Sequence, residues 1–229
     1  MEIYKKNLEL LCKNHVYSNE MEHDACGVGL IASTEGKKSR AVVQYGIEAL
    51  KAVWHRGAVD ADGKTGDGAG IHLEIPKDFF IEKIEVTGHD YDNSEICVGM
   101  IFLPRNDYSS QENCKTIVES ELTKNKFSIY GWRQVPVNPQ VLGTKALHTM
   151  PEIIQVLFKS NDPNLLNKEL ERKIYETRKK IENKAFNLSL NDFYICSISS
   201  KSIIYKGMFL AEAISDFFLD LKDKRFISR

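Results

Sequence analysis

The stretch Asp24-Ala-Cys-Gly-Val-Gly-Leu-Ile-Ala32 is the part of the chain that most strongly predicts its fold. The run from Cys26 to Ser33 is short, apolar and glycine-rich, which favours a buried β-strand. A cysteine in such a chain is most often a small buried hydrophobe. Cys26, however, lies at the start of the strand, between a polar leader and two glycines, where a nucleophile would be presented at a sheet edge. The pattern therefore makes Cys26 a candidate catalytic residue.

Downstream of this stretch, helical and strand patterns are mixed along the chain. Ser39 can cap a helix that runs to Trp54, because apolar residues recur there at close to helical spacing. Further helices are predicted at Gln111–Lys126, Leu165–Lys184 and Phe209–Leu221. Strands are predicted at Ile71–Ile75, Ile96–Leu103, Phe127–Val137, Glu152–Lys159, Phe193–Ser199 and Ser202–Lys206. The chain has no internal repeat and no low-complexity linker, so a layered α/β domain is expected in preference to an all-α or all-β one.

The bulk composition limits the classes of function. The chain has 229 residues, of which 42% are hydrophobic and 28% charged, and its formal net charge is -1. This is typical of a soluble globular protein and gives no reason to expect nucleic acid or a membrane surface as a partner. The longest apolar runs are too short to span a bilayer. The first 25 residues carry Lys, Glu, Asp and His throughout, which is not the pattern of a secretory signal.

The five cysteines are widely spaced, with no Cys-x-x-Cys pair and no His/Cys cluster. This spacing indicates neither a structural metal site nor a disulfide framework. A reducing, cytoplasmic setting is the simplest expectation, with no metal bound by this chain.

A loop rich in glycine and aspartate runs from His55 to Gly70. Its Gly63-Lys64-Thr65 suggests a phosphate-binding P-loop, which requires a first glycine five positions before Gly63. Ala58 occupies that position, and the loop follows a predicted helix where a P-loop follows a strand. The spacing therefore favours a tight loop whose glycines serve turns, or allow another backbone or a ligand to approach closely.

Three blocks near the N-terminus together resemble one family. They are Asp24–Ala32, Ala49-Leu-Lys-Ala-Val-Trp-His-Arg-Gly-Ala58 and Asp62-Gly-Lys-Thr-Gly-Asp-Gly-Ala-Gly-Ile71. Their order and spacing resemble the opening of the glutamate synthase large subunit. Similar stretches follow at Asp78-Phe-Phe80, Gly131-Trp-Arg133 with Pro136, and Tyr205-Lys-Gly-Met208, so the likeness runs from about residue 20 to the C-terminus.

The resemblance implies an N-terminal class II glutamine amidotransferase domain. That family has the N-terminal-nucleophile hydrolase fold, which is of the α+β class: a four-layer αββα sandwich of two mainly antiparallel sheets between helix layers. It also implies that residues 1–25 are a leader, or propeptide, that is removed. Residues 26–229 would then be a partial amidotransferase domain, truncated at its C-terminus, with Phe226–Arg229 as a strand cut off at its start.

The resemblance assigns the chemistry to Cys26. Inside a chain, this cysteine has beside it only an amide nitrogen, which cannot accept a proton. Cleavage of the Ala25–Cys26 bond would create an α-amine with a pKa of roughly 7.7–8.0, close to about 8.5 for a thiol. The thiolate would attack the side-chain amide of glutamine to give a thioester and ammonia, and water would complete the hydrolysis.

Arg56 is the second candidate site residue. From its position alone it is a surface side chain near the C-terminus of a helix, where a positive charge suits the helix dipole. The resemblance assigns it instead to the active site, where its charge would favour thiolate over thiol.

For the full-length enzyme the resemblance implies FMN, an iron–sulfur cluster and later domains that convert 2-oxoglutarate to L-glutamate, with no cofactor in this chain. The partners would be L-glutamine, the remaining synthase domains and an electron donor, either an NAD(P)H-dependent small subunit or ferredoxin. The family's Asn-Gly pair supplies oxyanion donors worth roughly 2.7–4 kcal/mol each. That pair does not occur in this sequence, and the glutamine-binding residues are not assigned.

Two alternatives remain open from the sequence. The chain could be a catalytically inactive fragment or an interaction module that keeps Cys26 by descent. It could also belong to another class II amidotransferase, such as those of purine or glucosamine synthesis, which share the Cys-Gly start but not the Asp62–Ile71 block.

Overall fold

The computed structural model describes residues 2–14, 27–53 and 58–229. The helices in these ranges are α1 Glu2–Asn14, α2 Arg40–Ala52, α3 Lys77–Val86, α4 Tyr108–Lys124, α5 Thr144–His148, α6 Asn167–Asn187 and α7 Ile214–Phe217. The strands are β1 Ala69–Glu74, β2 Cys97–Leu103, β3 Phe127–Gln134, β4 Glu152–Ser160, β5 Tyr194–Ser199 and β6 Ser202–Gly207. Short 3₁₀ turns lie at Pro139–Val141, Ala211–Ala213 and Leu219–Lys222. The mixture of helices with antiparallel sheets confirms the predicted α+β class.

Two helix starts follow from side chains that cap free backbone N–H groups. Ser39 precedes α2, and its Oγ accepts a hydrogen bond from the Val42 N–H at 3.4 Å, as the sequence predicts. Asp107 caps α4 in the same way, accepting from the Ser110 N–H at 3.0 Å. Because of this cap, α4 begins about one turn before the predicted start at Gln111.

The larger sheet has four antiparallel strands in the order β3-β4-β2-β5. β2 lies inside it, and its side chains alternate between two buried clusters. Val98 and Met100 belong to one cluster, and Cys97, Ile101 and Leu103 belong to the other. Burial on both faces explains why the sequence of β2 is a continuous apolar run.

The faces of the larger sheet are covered differently. Helices α4 and α6 pack on one face and close the second cluster. On the other face, the first cluster takes side chains from β1, β6, α2 and α3 as well as from the larger sheet. The larger sheet is therefore buried on both faces. The face opposite α4 and α6 shares its cluster with the smaller sheet.

The smaller sheet pairs β1 with β6, antiparallel. The chain around the start of β1 approaches the backbone of β6 closely. A Cβ at Gly70 would lie 2.8 Å from Lys206 Cβ, and Gly68, whose φ is +130°, passes close to the Gly207 carbonyl. The alternating glycines before β1 thus allow another backbone to approach, one of the uses that the sequence predicts.

A buried ion pair joins the last part of the chain to the larger sheet. Arg133 on β3 donates to both carboxylate oxygens of Asp220, at 2.5 and 2.7 Å, and to Gln155 on β4 at 2.7 Å. The Tyr205 hydroxyl also donates to Asp220, at 3.1 Å. Both charged groups are paired and hydrogen-bonded, which is the condition for burying a charge without a large cost.

The strand predicted from Cys26 to Ser33 is wrong for the residues that the structure describes. Residues 27–33 form no strand, and the side chains of Val28 and Leu30 are 91% and 88% exposed. A strand needs a hydrogen-bonded neighbour. This segment and β1 instead line a common cavity. The apolar pattern indicates that the segment favours an extended backbone. It does not show whether another strand lies beside the segment to pair with it.

The helix predicted at Phe209–Leu221 is also wrong. Only α7 within it is α-helical, and Phe218 after it is extended, with φ -89° and ψ 99°. Here the chain pairs with a distant segment: the Asn138 N–H donates to the Phe217 carbonyl at 2.9 Å, and the Leu219 N–H donates to the Pro136 carbonyl at 3.2 Å. This tertiary pairing takes the place of the helical hydrogen bonds that the apolar spacing predicts.

The pattern does not predict α3 or α5, and α1 lies in the predicted leader. α3 buries the adjacent Phe79 and Phe80, so its apolar residues lack the spacing that identifies a helix. α5 has 5 residues, too few for a periodic pattern.

Candidate active site

Both site residues predicted from the sequence, Cys26 and Arg56, lie outside the residues that the structure describes. Their described neighbours indicate where a site would be. Gly27 directly follows Cys26, and Val53 and Ala58 bracket the segment that contains Arg56. Gly27 and Val53 line the same cavity, whose volume is 560 Å³. We call it the edge cavity, because it borders the edge of β1 that does not pair with β6.

Three segments form most of the wall of the edge cavity: the described part of the N-terminal stretch, one side of α2, and β1. The lining residues are Gly27–Ile31, Val42, Gly46, Ala49, Leu50, Val53, Gly70–Glu74, Ser202, Ser228 and Arg229. The α2 side is apolar, and the β1 side is the edge of the strand that pairs with no other strand among the described residues. A cavity of this size is typical of a small-molecule site.

Charged side chains meet at one end of the edge cavity, around Glu74. Arg229 Nε donates to Glu74 Oε1 at 3.0 Å, and Lys38 Nζ lies 2.9 Å from Oε2. This contact is an ion pair without a hydrogen bond to Oε2. The Glu74 N–H also donates to Ser228 Oγ at 3.1 Å. Glu74 therefore holds residues 228 and 229 against β1.

A second cavity, of 640 Å³, lies between the smaller sheet and α5. Its lining is mostly apolar and includes Phe102, Ile153 and Phe209. It is larger than the edge cavity, but it is lined neither by Gly27 nor by Val53. The edge cavity is therefore the better candidate site.

The residues that follow the Arg56 segment form a closed hairpin from Ala58 to Asp67. At its base, Asp67 Oδ2 accepts a hydrogen bond from the Ala58 N–H at 3.0 Å, and the Asp67 N–H donates back to the Ala58 carbonyl at 3.3 Å. Further along, the Asp60 N–H donates to the Thr65 carbonyl at 2.9 Å. The hairpin thus fixes the position of Ala58, two residues after Arg56 in the sequence.

The tip of this hairpin is fastened to α5 through Asp62. Asp62 accepts hydrogen bonds from the N–H groups of Lys64 and Thr65, at 3.0 and 2.7 Å, and from the Thr65 hydroxyl at 2.6 Å. Thr65 Oγ1 in turn accepts from the Ala146 N–H at 3.3 Å, and the Lys145 N–H lies 3.4 Å from Asp62 Oδ2. The Thr65 hydroxyl makes the largest contribution to holding the pKa of Asp62 well below its usual range.

The sequence analysis does not predict the role of Asp62, although the sequence contains a signal for its hydrogen bonds to the residues that follow it. An aspartate that accepts from the backbone a few residues later is a common turn pattern. The contact with α5 joins residues 83 positions apart, so no local pattern reveals it.

The same geometry confirms that the loop is not a P-loop. The Lys64 and Thr65 N–H groups, which would face a phosphate, donate to Asp62. The hairpin also lies between helix α2 and strand β1, the reverse of the order that a P-loop requires.

Within residues 2–14, 27–53 and 58–229, no three His, Cys, Asp or Glu side chains are grouped so that they could hold a metal ion. Among the helices of those same ranges, none combines the length and apolar composition needed to cross a bilayer.

Comparison with other proteins gives a consistent result. The family described as glutamine amidotransferases class-II matches residues 26–229. The large chain of a glutamate synthase (NADPH) from Azospirillum brasilense is 51% identical over 225 residues, which are 98% of this chain. A ferredoxin-dependent glutamate synthase from Arabidopsis thaliana is 39% identical over 209 residues, and a glutamate synthase (NADPH) large chain from Bacillus subtilis is 36% identical over 217 residues. These alignments cover 90% and 93% of this chain.

The relatives are much longer than this chain. The matched region spans 15% of the Azospirillum protein, 13% of the Arabidopsis protein and 14% of the Bacillus protein. The similarity therefore concerns one region of those enzymes.

Proposed function

Because the chain belongs to the class II glutamine amidotransferase family, we propose that it is the glutamine-hydrolysing domain of a glutamate synthase large subunit, with Cys26 as nucleophile. The edge cavity is the observation that carries this proposal. Gly27, the residue after Cys26, and Val53, three positions before Arg56, lie on its wall together. The cavity is open to a small substrate and has the volume of an ordinary small-molecule site.

The proposed reaction needs a base beside the thiol. After cleavage of the Ala25–Cys26 bond, the α-amine of Cys26 accepts the thiol proton, and the sulfur attacks the side-chain carbonyl carbon of glutamine. The C–N bond then breaks, and the nitrogen takes that proton and leaves as ammonia. Water hydrolyses the remaining γ-glutamyl thioester to glutamate and regenerates the thiol.

Arg56 has an electrostatic role in this proposal. A fixed guanidinium near the thiol lowers the thiol pKa and raises the thiolate fraction at neutral pH. Replacing Arg56 with alanine would therefore lower turnover more than stability.

The finer architecture and the domain limits are part of the same proposal. Helices α4 and α6, the larger sheet, and the shared cluster with β1, β6 and α2 supply the components of a four-layer sandwich. Residues 1–25 would be the leader, and residues 26–229 would be the amidotransferase part. The sequence has no Asn-Gly pair for the oxyanion, so we expect slow turnover by these residues alone.

The wider reaction would use the released ammonia in the remaining synthase domains, converting 2-oxoglutarate to L-glutamate in the cytoplasm. Electrons would come from an NAD(P)H-dependent small subunit or from ferredoxin, and FMN and an iron–sulfur cluster would carry them. Such a cluster is held by grouped cysteine thiolates. Among the described residues, the cysteines form no such group. The iron–sulfur cluster would therefore be held by another domain, and the proposal places FMN in the other domains as well.

Intact-mass analysis combined with a glutaminase assay tests the proposal. We expect active protein to begin at Cys26, and Cys26→Ala to abolish glutamine hydrolysis. Active protein that retains residues 1–25, or undiminished hydrolysis by Cys26→Ala, would contradict the mechanism. Protein that is folded and cleaved but inactive would favour the fragment or interaction-module alternative.

A further inference from the structure

The hairpin Ala58–Asp67 is held at two separate places. Its base is closed by Asp67, and its tip is attached to α5 by a group that we call the tip clamp: Asp62, Thr65, Gly143 and Lys145. The Lys145 ammonium also pairs with Asp60, at 2.7 Å. A hairpin fixed at its tip and at its base cannot shift along α5 without losing several hydrogen bonds.

The packing around Gly143 and Thr65 shows that the tip clamp depends on close contact between the hairpin and α5. A Cβ added at Gly143 would collide with Asp62 Oδ2 and Thr65 Oγ1, so only glycine allows α5 to approach. Thr65 is 2% exposed, and its hydroxyl both donates to Asp62 and accepts from the Ala146 N–H. Removing the Asp62 carboxylate would leave a buried hydroxyl donor without its acceptor, which is costly inside a protein.

Asp107 makes the same local hydrogen bonds as Asp62 but, among the described residues, has no contact comparable to that of Asp62 with α5. Asp107 accepts from the Ser110 N–H at 3.0 Å and from the Ser110 hydroxyl at 2.6 Å, as Asp62 does from Thr65. Asp107, however, caps α4. Its hydrogen bonds are to Ser110, three residues away, and it joins no distant segment among the described contacts. An aspartate turn alone therefore does not explain the contact of Asp62 with α5.

We propose that Asp62 is a positioning residue for glutamine hydrolysis, fixing the hairpin so that Arg56 is held near the nucleophile. This inference rests on the function proposed above. Arg56 precedes Ala58 by two residues, and Ala58 is tied to Asp67 in the closed hairpin. Asp62 itself touches neither substrate nor thiol in this proposal and acts through the backbone that it holds.

The test measures the reactivity of Cys26 with iodoacetamide at neutral pH, by peptide mass analysis of protein that begins at Cys26. Alkylation requires the thiolate, so its rate reports the charge near the sulfur without requiring oxyanion donors. Glutathione added to each reaction serves as the reference thiol, because Cys12 belongs to the leader that the proposed function removes. Burial raises the pKa of the Cys114 and Cys196 thiols to about 11 and raises that of Cys97 further, so these three contribute little signal.

We expect the effects of the Arg56 and Asp62 substitutions on the alkylation rate of Cys26 to be non-additive. Arg56→Ala and Asp62→Ala should each slow alkylation of Cys26 by about tenfold, the effect of one unit in thiol pKa. The double variant should be no slower than Arg56→Ala alone, because Asp62 acts through Arg56. Gly143→Ala, which disturbs the clamp from the side of α5, should also slow the reaction, and Asp62→Asn should restore part of the rate.

Asp107→Ala is the matched control, and it should leave the Cys26 rate unchanged relative to glutathione. The inference is overturned if Arg56→Ala slows alkylation while Asp62→Ala and Gly143→Ala do not, or if the double variant shows additive losses. If Arg56→Ala itself has no effect, the electrostatic role of Arg56 in the proposed function fails, and the positioning inference fails with it. The Arg56→Ala variant alone therefore distinguishes failure of the proposed role of Arg56 from failure of the positioning role of Asp62.

Discussion

The larger and the smaller sheet differ in how their faces and edges are covered. The four-stranded sheet has helices α4 and α6 on one face and the shared cluster on the other, and β2 inside it is buried except at Phe102, which is partly exposed. The smaller sheet has two strands, and the outer edge of β1 faces the edge cavity. Beside it, Val28 and Leu30 are exposed although they are apolar.

This difference separates the part of the chain that gives stability from the part that can bind a ligand. A buried apolar side chain contributes about 1.5–3 kcal/mol relative to an exposed one, so a side chain buried in the larger sheet adds more to stability than Val28 or Leu30 does. An open strand edge with exposed apolar neighbours contributes little to stability but leaves room for another group. Three substitutions test the comparison, from the largest expected effect to the smallest.

Removing a ring from the larger sheet should have the largest effect. Phe158 on β4 is fully buried and packs edge-to-face on Phe127, with ring centroids 5.3 Å apart. Phe158→Ala should lower the free energy of unfolding by about 4 kcal/mol, because it leaves a cavity that the sheet cannot close. Urea denaturation followed by tryptophan fluorescence measures the change. Phe186→Ala is the matched control, since Phe186 is 80% exposed, and equal losses for the two variants would contradict the comparison.

Breaking the buried ion pair should have the next largest effect. Asp220→Ala leaves the Arg133 guanidinium buried without its carboxylate, and we expect a loss of about 3 kcal/mol in the same measurement. Asp216→Ala is its control, because Asp216 pairs with Lys222 at the surface and should lose less than about 1 kcal/mol. A loss for Asp220→Ala no greater than that of the control would show that this pair does not hold the last part of the chain.

Substitution beside the smaller sheet should have the smallest effect. Leu30→Ala should change the free energy of unfolding by less than about 0.5 kcal/mol, because the side chain is already exposed. Leu122→Ala, in the cluster under α4, should lose about 3 kcal/mol. Comparable losses at the two positions would mean that residues 27–33 pack as the buried strand that their sequence predicts, and that the edge of β1 is not open.

Protonation of the Asp62 carboxylate in the tip clamp causes no change in stability near neutral pH. The hydrogen bonds to Asp62 depress its pKa, so whatever stability they contribute is complete above the ordinary carboxyl pKa. It is lost only as the pH falls through the depressed value. Thiol reactivity measured near neutral pH therefore compares variants in which this carboxylate, where present, is ionised.

Local signals predicted some elements and misplaced others. The cap at Ser39 and the apolar run of β2 are properties of neighbouring residues, and both occur where the sequence places them. The apolar spacing predicts one helix over Phe209–Leu221, but the chain at Phe217 and Phe218 pairs with residues 136–138, a distant contact that local spacing does not reveal. For Cys26 and Arg56, the sequence motifs remain the basis of the assignment, while the structure adds the cavity lined by Gly27 and Val53.

The sequence by itself determined the α+β class, most of the strands and the family, because periodicity, caps and short motifs depend on residues close together in the chain. Only the tertiary structure decided which distant groups meet. Arg133 and Asp220 are 87 positions apart, and Asp62 reaches the start of α5 across 83. It also decided that Gly27–Ile31 would line a cavity beside β1, where the pattern had predicted a strand. The physical reason is that backbone preference is local, whereas pairing and burial depend on the partner that the rest of the chain brings into contact.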